Sequence, residues 1–194
     1  MTSKRFTKIR NVVDKRQKYL TIVMENIHDP HNVSAILRSA DAVGIDKIYL
    51  VYNTNKFPKI GKTSSASAKK WIELERYNDM KSCVEKLKDS GFKIYSTYIK
   101  ENKFSDSLYD LDLTKKIAFV FGNEHTGVSD DVKKYSDKNF MIPMYGMIQS
   151  LNVSVAAAVC LYEAMRQREL KGMYGKSGFS KKELNEKINY YMNK

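Results

Sequence analysis

Five short, apolar, β-rich runs punctuate the chain: LTIVME at 20–25, KIYLVY at 47–52, FKIYSTY at 92–98, IAFVFG at 117–122 and FMIPM at 140–144. Most are near-continuous rather than alternating, the pattern of strands buried on both faces of a parallel sheet. Between them apolar residues recur at helical spacing over about 32–43, 78–90 and 129–136, and the pattern predicts a long helix over 150–171 and another over 181–192. This alternation predicts an α/β fold built on a mostly parallel sheet. The stretch 53–68, NTNKFPKIGKTSSASA, has loop composition, and KSGFS at 176–180 links the last two helices. One apolar run, QSLNVSVAAAV at 149–159, opens with Gln149, Ser150 and Asn152. Helix capping accounts for one or two of these polar residues, not for all of them.

In open α/β sheets ligands gather beyond the carboxyl ends of the strands. The polar groups of this chain concentrate there. Glu25, Asn26 and HDPHN follow the first run, Thr97 ends the third, GNEHTG follows IAFVF, and YGMIQSLN follows FMIPM. Pro30, Pro143, Gly122, Gly127 and Gly146 fall in these turns, where proline fixes a bend and glycine permits close backbone approach.

Several side chains in and just after these turns are chemically capable. Arg38 can grip a phosphate or carboxylate with its guanidinium fork, although a solvent-facing arginine on an amphipathic helix has the same pattern. It follows Asn32 by six residues, so the two share a helix face only if Asn32 is the N-cap. Glu124, just past a buried strand, is a candidate general base or hydrogen-bond acceptor; a plain turn is the alternative. His28 and His31 lack companions for a metal site. Ser150 sits in no GxSxG elbow, and neither a P-loop nor a GxGxxG fingerprint is present.

Charge changes the picture once it is located. The 194 residues carry a net charge of +12. Residues 1–20 hold seven Lys/Arg against one Asp and residues 166–194 hold eight against three Glu, leaving 19 basic and 18 acidic residues between them. Two basic arms flanking a near-neutral domain point to a polyphosphate partner. The expected division is a basic N-terminal helical extension at 1–19, a near-neutral central domain at 20–165 and a basic C-terminal helical extension at 166–194. Two cysteines without CxxC spacing, no long apolar span and no apolar segment behind the first charges lead to the expectation of a cytoplasmic protein.

Three segments in order, ENIHDPHNVSAILRSADAVG, FVFGNEHTGVS and IPMYGMIQSLNVSVAAAV, together resemble the three motifs of the SpoU/TrmH family of RNA 2′-O-ribose methyltransferases in the SPOUT superfamily. The similarity covers nearly the whole chain. It implies an α/β knot fold, in which the C-terminal part of the sheet domain threads a deep trefoil knot that chain-topology rules would reject. It also implies a homodimer and S-adenosyl-L-methionine as cofactor, lying against Thr97, Phe121, Gly122, Ile142 and Leu151. By motif match Arg38 is the central catalytic residue and can act across the dimer interface, with Asn32, Glu124, Ser150 and Asn152 as the other polar site residues. RNA affinity is then expected from Arg5, Lys8, Arg10, Arg166, Arg168 and Lys171. With only a short arm before the first strand the substrate expected is tRNA, at the guanosine in position eighteen of the D-loop. Another tRNA or rRNA nucleotide, or a catalytically silent RNA-binding module, are the alternatives.

Overall fold

The computed structural model describes residues 2–54, 56–59, 68–97 and 106–194. The last residue of the expected third strand, 98, and residues 55 and 60–67 of the expected loop lie outside them. In chain order the elements are α1 (Ser3–Asp14), β1 (Leu20–Glu25), α2 (Pro30–Ala42), β2 (Lys47–Val51), α3 (Ala68–Trp71), β3 (Glu73–Tyr77), α4 (Met80–Asp89), β4 (Lys93–Thr97), β5 (Asp106–Ser107), β6 (Ile117–Phe121), α5 (Asp130–Tyr135), β7 (Lys138–Met141), α6 (Val153–Leu170) and α7 (Lys181–Met192).

All seven strands found among the described residues join one sheet, ordered β3-β2-β1-β6-β4-β7-β5, and every pairing is parallel. The strands with continuous apolar runs are the inner ones. β1 and β6 are buried at every position, because helices cover both faces. Alternate residues feed two cores. Ile22, Met24, Phe119 and Phe121 pack with α2 and α6, whereas Val23, Ala118 and Val120 pack with α4 and α5. β3 (ELERY) is half-exposed at one edge and β5 has two residues at the other, which is why neither shows as an apolar run.

The basic ends are not free arms. Ile9 and Val13 of α1 pack with Tyr191 of α7 in a small third core alongside Trp71, Leu184 and Ile188. Lys18 pairs with Glu183 at 2.6 Å and Lys187 with Asp46 at 2.7 Å, tying α7 to the amino ends of the strands. α6 runs unbroken through residues 165 and 166. One expectation fails here. Arg168, expected to contact RNA, is fully buried. Its guanidinium donates to Leu113 O (3.0 Å), Gln17 Oε1 (3.2 Å), Tyr19 O (2.8 Å) and Lys115 O (2.5 Å), so no donor faces solvent for a phosphate. Burial without a paired carboxylate pushes its pKa down to about 10.

Candidate active site

At the carboxyl ends of β1 and β6 the chain makes two tight turns that fit each other. Asn26 takes φ of 49°, which an Asx side chain tolerates, and its carbonyl accepts from Asn123 Nδ2 at 2.8 Å. Residues 123–127 close on themselves through Asn123 N–H to Gly127 O (3.0 Å) and Gly127 N–H to Asn123 O (2.9 Å). Gly122 is required at this closure, since a Cβ there would sit 2.1 Å from Gly127 O. Glu25, buried at the end of β1, accepts from Ser129 N at 2.9 Å and fastens the far side of the turn where α5 begins.

This double turn aims Glu124 at the start of α2. Its Oε1 accepts from Asp29 N (3.1 Å) and Asn32 Nδ2 (2.9 Å), and its Oε2 from His28 N (3.1 Å). Partial burial works to raise the carboxyl, but the bonds from Asn32 and from the backbone of His28 and Asp29 outweigh it and hold Glu124 below the usual carboxylate range. A carboxylate so supplied with donors is a fixed anion and a weak base.

Asn32 passes the connection on. It is buried, and its Oδ1 accepts from Asn152 Nδ2 at 3.0 Å. Asn152 in turn caps α6, its Oδ1 accepting from Ser154 N (2.8 Å) and Ser154 Oγ (2.6 Å). One hydrogen-bond chain, Glu124–Asn32–Asn152, therefore joins three sequence segments. The helix expected from residue 150 begins at Val153 because Asn152 supplies the cap, which leaves Gln149 and Ser150 outside it.

Beside this chain lies a cavity of about 600 Å³. Thr97, Phe121, Gly122, Ile142 and Leu151, the expected cofactor residues, all line it, as do Glu124, Ser150 and Asn152. Of the residues lining it, the peptide groups of Met144, Gln149, Ser150 and Leu151 make no hydrogen bond to the described residues, and Ser150 is exposed. A wall of unpaired backbone donors and acceptors beside apolar side chains suits a nucleoside-like ligand read through main-chain groups.

Arg38 is not part of this cluster within one chain. The N-cap of α2 is Asp29, with Pro30 at N1, so Asn32 sits inside the first turn and faces inward. Arg38 falls on the other side, exposed and without a hydrogen bond or ion pair to the described residues. Of the remaining expected RNA-binding cations, Arg5, Lys8, Arg10 and Lys171 are exposed. Arg10 lies 3.9 Å from Asp14, and Arg166 spends two donors on Glu163 at 2.8 Å each. Sequence reasoning had missed Asp29 as the cap, Asn123 as the turn-former and Glu25 as its fastener. Asp29 and Asn123 stand in turns marked by proline or glycine, the signal that could find them, whereas Glu25 ends β1 without such a mark. Among the described residues no group of His, Cys, Asp or Glu is placed to hold a metal ion, and no helix is long and apolar enough to cross a membrane.

Residues 19–162 match the model of the SpoU rRNA Methylase family. A tRNA (guanosine(18)-2′-O)-methyltransferase of Aquifex aeolicus is 41% identical over 181 residues, covering 93% of this chain and 85% of the relative. One from Thermus thermophilus is 43% identical over 173 residues, covering 89% of this chain and 88% of its own length. The crystal structure of the A. aeolicus TrmH/SpoU tRNA modifying enzyme is similar with a TM-score of 0.91 at 38% identity, over 98% of this chain and 95% of that one.

Proposed function

The chain belongs to the SpoU rRNA methylase family, and from that premise we propose that it is an S-adenosyl-L-methionine-dependent tRNA 2′-O-methyltransferase acting on guanosine 18. The observation that carries the reading is the Glu124–Asn32–Asn152 chain standing at a cavity lined by Thr97, Phe121, Gly122, Ile142 and Leu151. Relatives named for guanosine 18 of tRNA, similar over most of both chains, favour that nucleotide over an rRNA ribose.

When bound, S-adenosyl-L-methionine supplies the methyl group that a ribose 2′-hydroxyl accepts. Thr97, Phe121, Gly122, Ile142 and Leu151 would hold it, largely through backbone groups. An alcohol is a poor nucleophile, so the protein's task is to orient it and assist loss of its proton. Arg38 grips the phosphate next to that ribose and orients the hydroxyl, and an oxygen of this phosphate or Glu124 helps to accept the proton. Arginine, with a pKa above about 12, is itself no base. Glu124, held by three donors, also positions Asn32 and the start of α2. Asn152 fixes the opening of α6, and the Ser150 hydroxyl beside it contacts the ribose.

Because Arg38 and the cavity do not meet within one chain, the reading requires a homodimer in which each Arg38 serves the partner's cavity. An apolar surface supports this: Tyr145 and Met147 are 99% exposed, and Ile148, Val155 and Tyr162 are exposed near them in sequence along the same segment and α6. α6 packs on α2, the helix bearing Arg38. The trefoil knot belongs to the same proposal, supported by residues 142–152 passing beside residues 121–128 to line one cavity before α6 returns to α2. So do the division at residues 19 and 165 and a cytoplasmic location, where tRNA is processed.

The test is methyl transfer from labelled cofactor to a tRNA transcript, followed by mapping of the modified ribose. Guanosine 18 should carry the label, and a transcript with 2′-deoxyguanosine there should accept none. Arg38→Ala should abolish transfer while leaving cofactor affinity near normal; retained turnover removes Arg38 from the reaction. Label found only in rRNA fragments overturns the substrate assignment.

A further inference from the structure

The near-neutral tally for the middle of the chain conceals a third basic segment. Residues 53–72 contain five lysines and no acidic residue, and Arg76 follows in β3. The nearby acids of β3 are already engaged, since Glu73 and Glu75 pair with Lys47 at 2.7 and 2.9 Å. Arg76 Cζ lies 4.9 Å from the centroid of the Phe57 ring and Lys69 Nζ lies 5.9 Å from it. Both cations are exposed, and neither makes a hydrogen bond or ion pair with the described residues. Lys56 and Lys59 are exposed close by in sequence.

This cluster is mechanically joined to the site. Phe57 is half-buried and meets Tyr52 edge-on, with ring centroids 5.2 Å apart. The Tyr52 hydroxyl donates to Ile27 O at 3.0 Å, one residue before the His28 N–H that binds Glu124. In parallel, Asn26 Nδ2 donates to Asn53 Oδ1 at 2.7 Å, and the Asn26 carbonyl accepts from Asn123. Burial and the Glu124 charge both push the Tyr52 hydroxyl up while Arg76 pulls it down, so the site carboxylate and the cluster guanidinium are felt at one phenol. The turns after β1, β2 and β6 thus form one connected surface at the carboxyl ends of the strands.

We propose that Arg76 and Lys69, braced on Phe57 and flanked by Lys56 and Lys59, clamp backbone phosphates of the substrate RNA beside the methylation site. The inference rests on the RNA-methyltransferase reading and adds a docking surface outside both terminal arms. A guanidinium held over an aromatic face is already ordered, so it loses little freedom on binding. Exposed cations spread over an open surface suit consecutive phosphates of a strand, which a single small anion could not bridge.

The experiment measures binding of an unmodified tRNA transcript to the full-length protein across a salt series, together with kcat, the KM for tRNA and cofactor affinity. The variants are Lys69→Ala/Arg76→Ala, Arg76→Lys, Phe57→Leu and the control Lys81→Ala, an exposed α4 lysine 3.8 Å from Glu85. The double variant should bind tRNA roughly tenfold more weakly, with a salt slope shallower by about one for each phosphate no longer neutralised, and with kcat at saturating tRNA and cofactor affinity unchanged. Arg76→Lys should keep the slope with partial loss of affinity, Phe57→Leu should weaken binding less than the double variant, and Lys81→Ala should match wild type. Unaltered affinity and slope in a double variant that still methylates tRNA overturn the clamp and leave the activity standing. A wild type that neither binds nor methylates tRNA overturns both.

Discussion

At the amino ends of the strands two arginines are buried and supplied with acceptors, whereas at the carboxyl ends a stretch of backbone is left unpaired at the surface. Arg168 meets four acceptors, and Arg16 donates to Ile45 O and Asp41 Oδ1 at 2.6 Å and to Trp71 O at 3.2 Å, with only its Nε unmatched. Residues 144–151, by contrast, make no backbone hydrogen bonds to the described residues beside a cavity of about 600 Å³. Polar groups satisfied inside the protein serve the fold, and groups left open beside a cavity are free to meet a ligand. The exception sharpens the rule. Glu124 lies at the open end yet is saturated, which marks it as a part that positions others.

The contrast breaks most severely at Gly122. A Cβ there would stand 2.1 Å from Gly127 O and 2.4 Å from Val128 N, both backbone atoms that cannot swing away. Gly122→Ala should cost on the order of 4 kcal/mol, divided between the urea unfolding midpoint and cofactor affinity, because the turn itself must shift. Calorimetric titration with S-adenosyl-L-methionine beside urea melts would show both effects; unchanged cofactor affinity would separate the turn from the cavity. Arg168→Met should cost about 3 kcal/mol, from carbonyls left buried without donors. Here the cost should appear in stability alone. The folded variant should keep the wild-type salt slope for tRNA, and a shallower slope would return Arg168 to the RNA surface.

The two ends were unequally legible in the sequence. The inner strands β1 and β6 read directly as apolar runs because helices cover both their faces. β3 and β5 did not, since an edge strand needs no such run. Proline and glycine marked the turns that build the site, but which side chains would meet across them depended on long-range folding, so the contribution of Asp29, Asn123 and Glu25 stayed hidden. The convergence of Thr97, Phe121, Gly122, Ile142 and Leu151 on one cavity came from family resemblance, as nothing in their spacing announces it. Counting charge found the basic ends but not that α1 and α7 pack together, and it misjudged Arg168. α6 turns Glu163 and Arg168 inward among alanines and leucine, and charge alone does not tell a buried guanidinium from an exposed one.

Asn152 belongs to both kinds of region, since it caps α6 and links to Asn32. Two substitutions separate the roles. Asn152→Ala removes both and should cost about 1 kcal/mol of stability along with activity. Asn152→Asp keeps an acceptor for Ser154 N but has no amide to donate to Asn32 Oδ1. It should recover the urea midpoint and leave kcat depressed. Recovery of both would reduce Asn152 to a helix cap.

The smallest effect concerns the amino-end bracing, where α7 is held by a partly buried contact. Glu183 accepts from Lys18 Nζ at 2.6 Å and from Ser180 N at 2.7 Å while its own N–H completes the capping box with Ser180 Oγ. The Lys18 bond, then those from Ser180, hold its carboxyl at about 2, well below the ordinary 4.5. A carboxylate lowered by folding stabilises above its unfolded value, and that contribution fades as pH falls through the interval to the folded value. The gap in urea midpoint between wild type and Glu183→Gln should therefore be constant at neutral pH, narrow below about 4.5 and close near 2. Because the pair is only partly buried, the same gap should shrink with added salt. Methyl transfer at neutral pH should be indifferent to the substitution, as the contact lies at the end of the sheet opposite the cavity. A gap that stays constant down to pH 2 would mean the capping geometry, rather than the charge of Glu183, holds α7 in place.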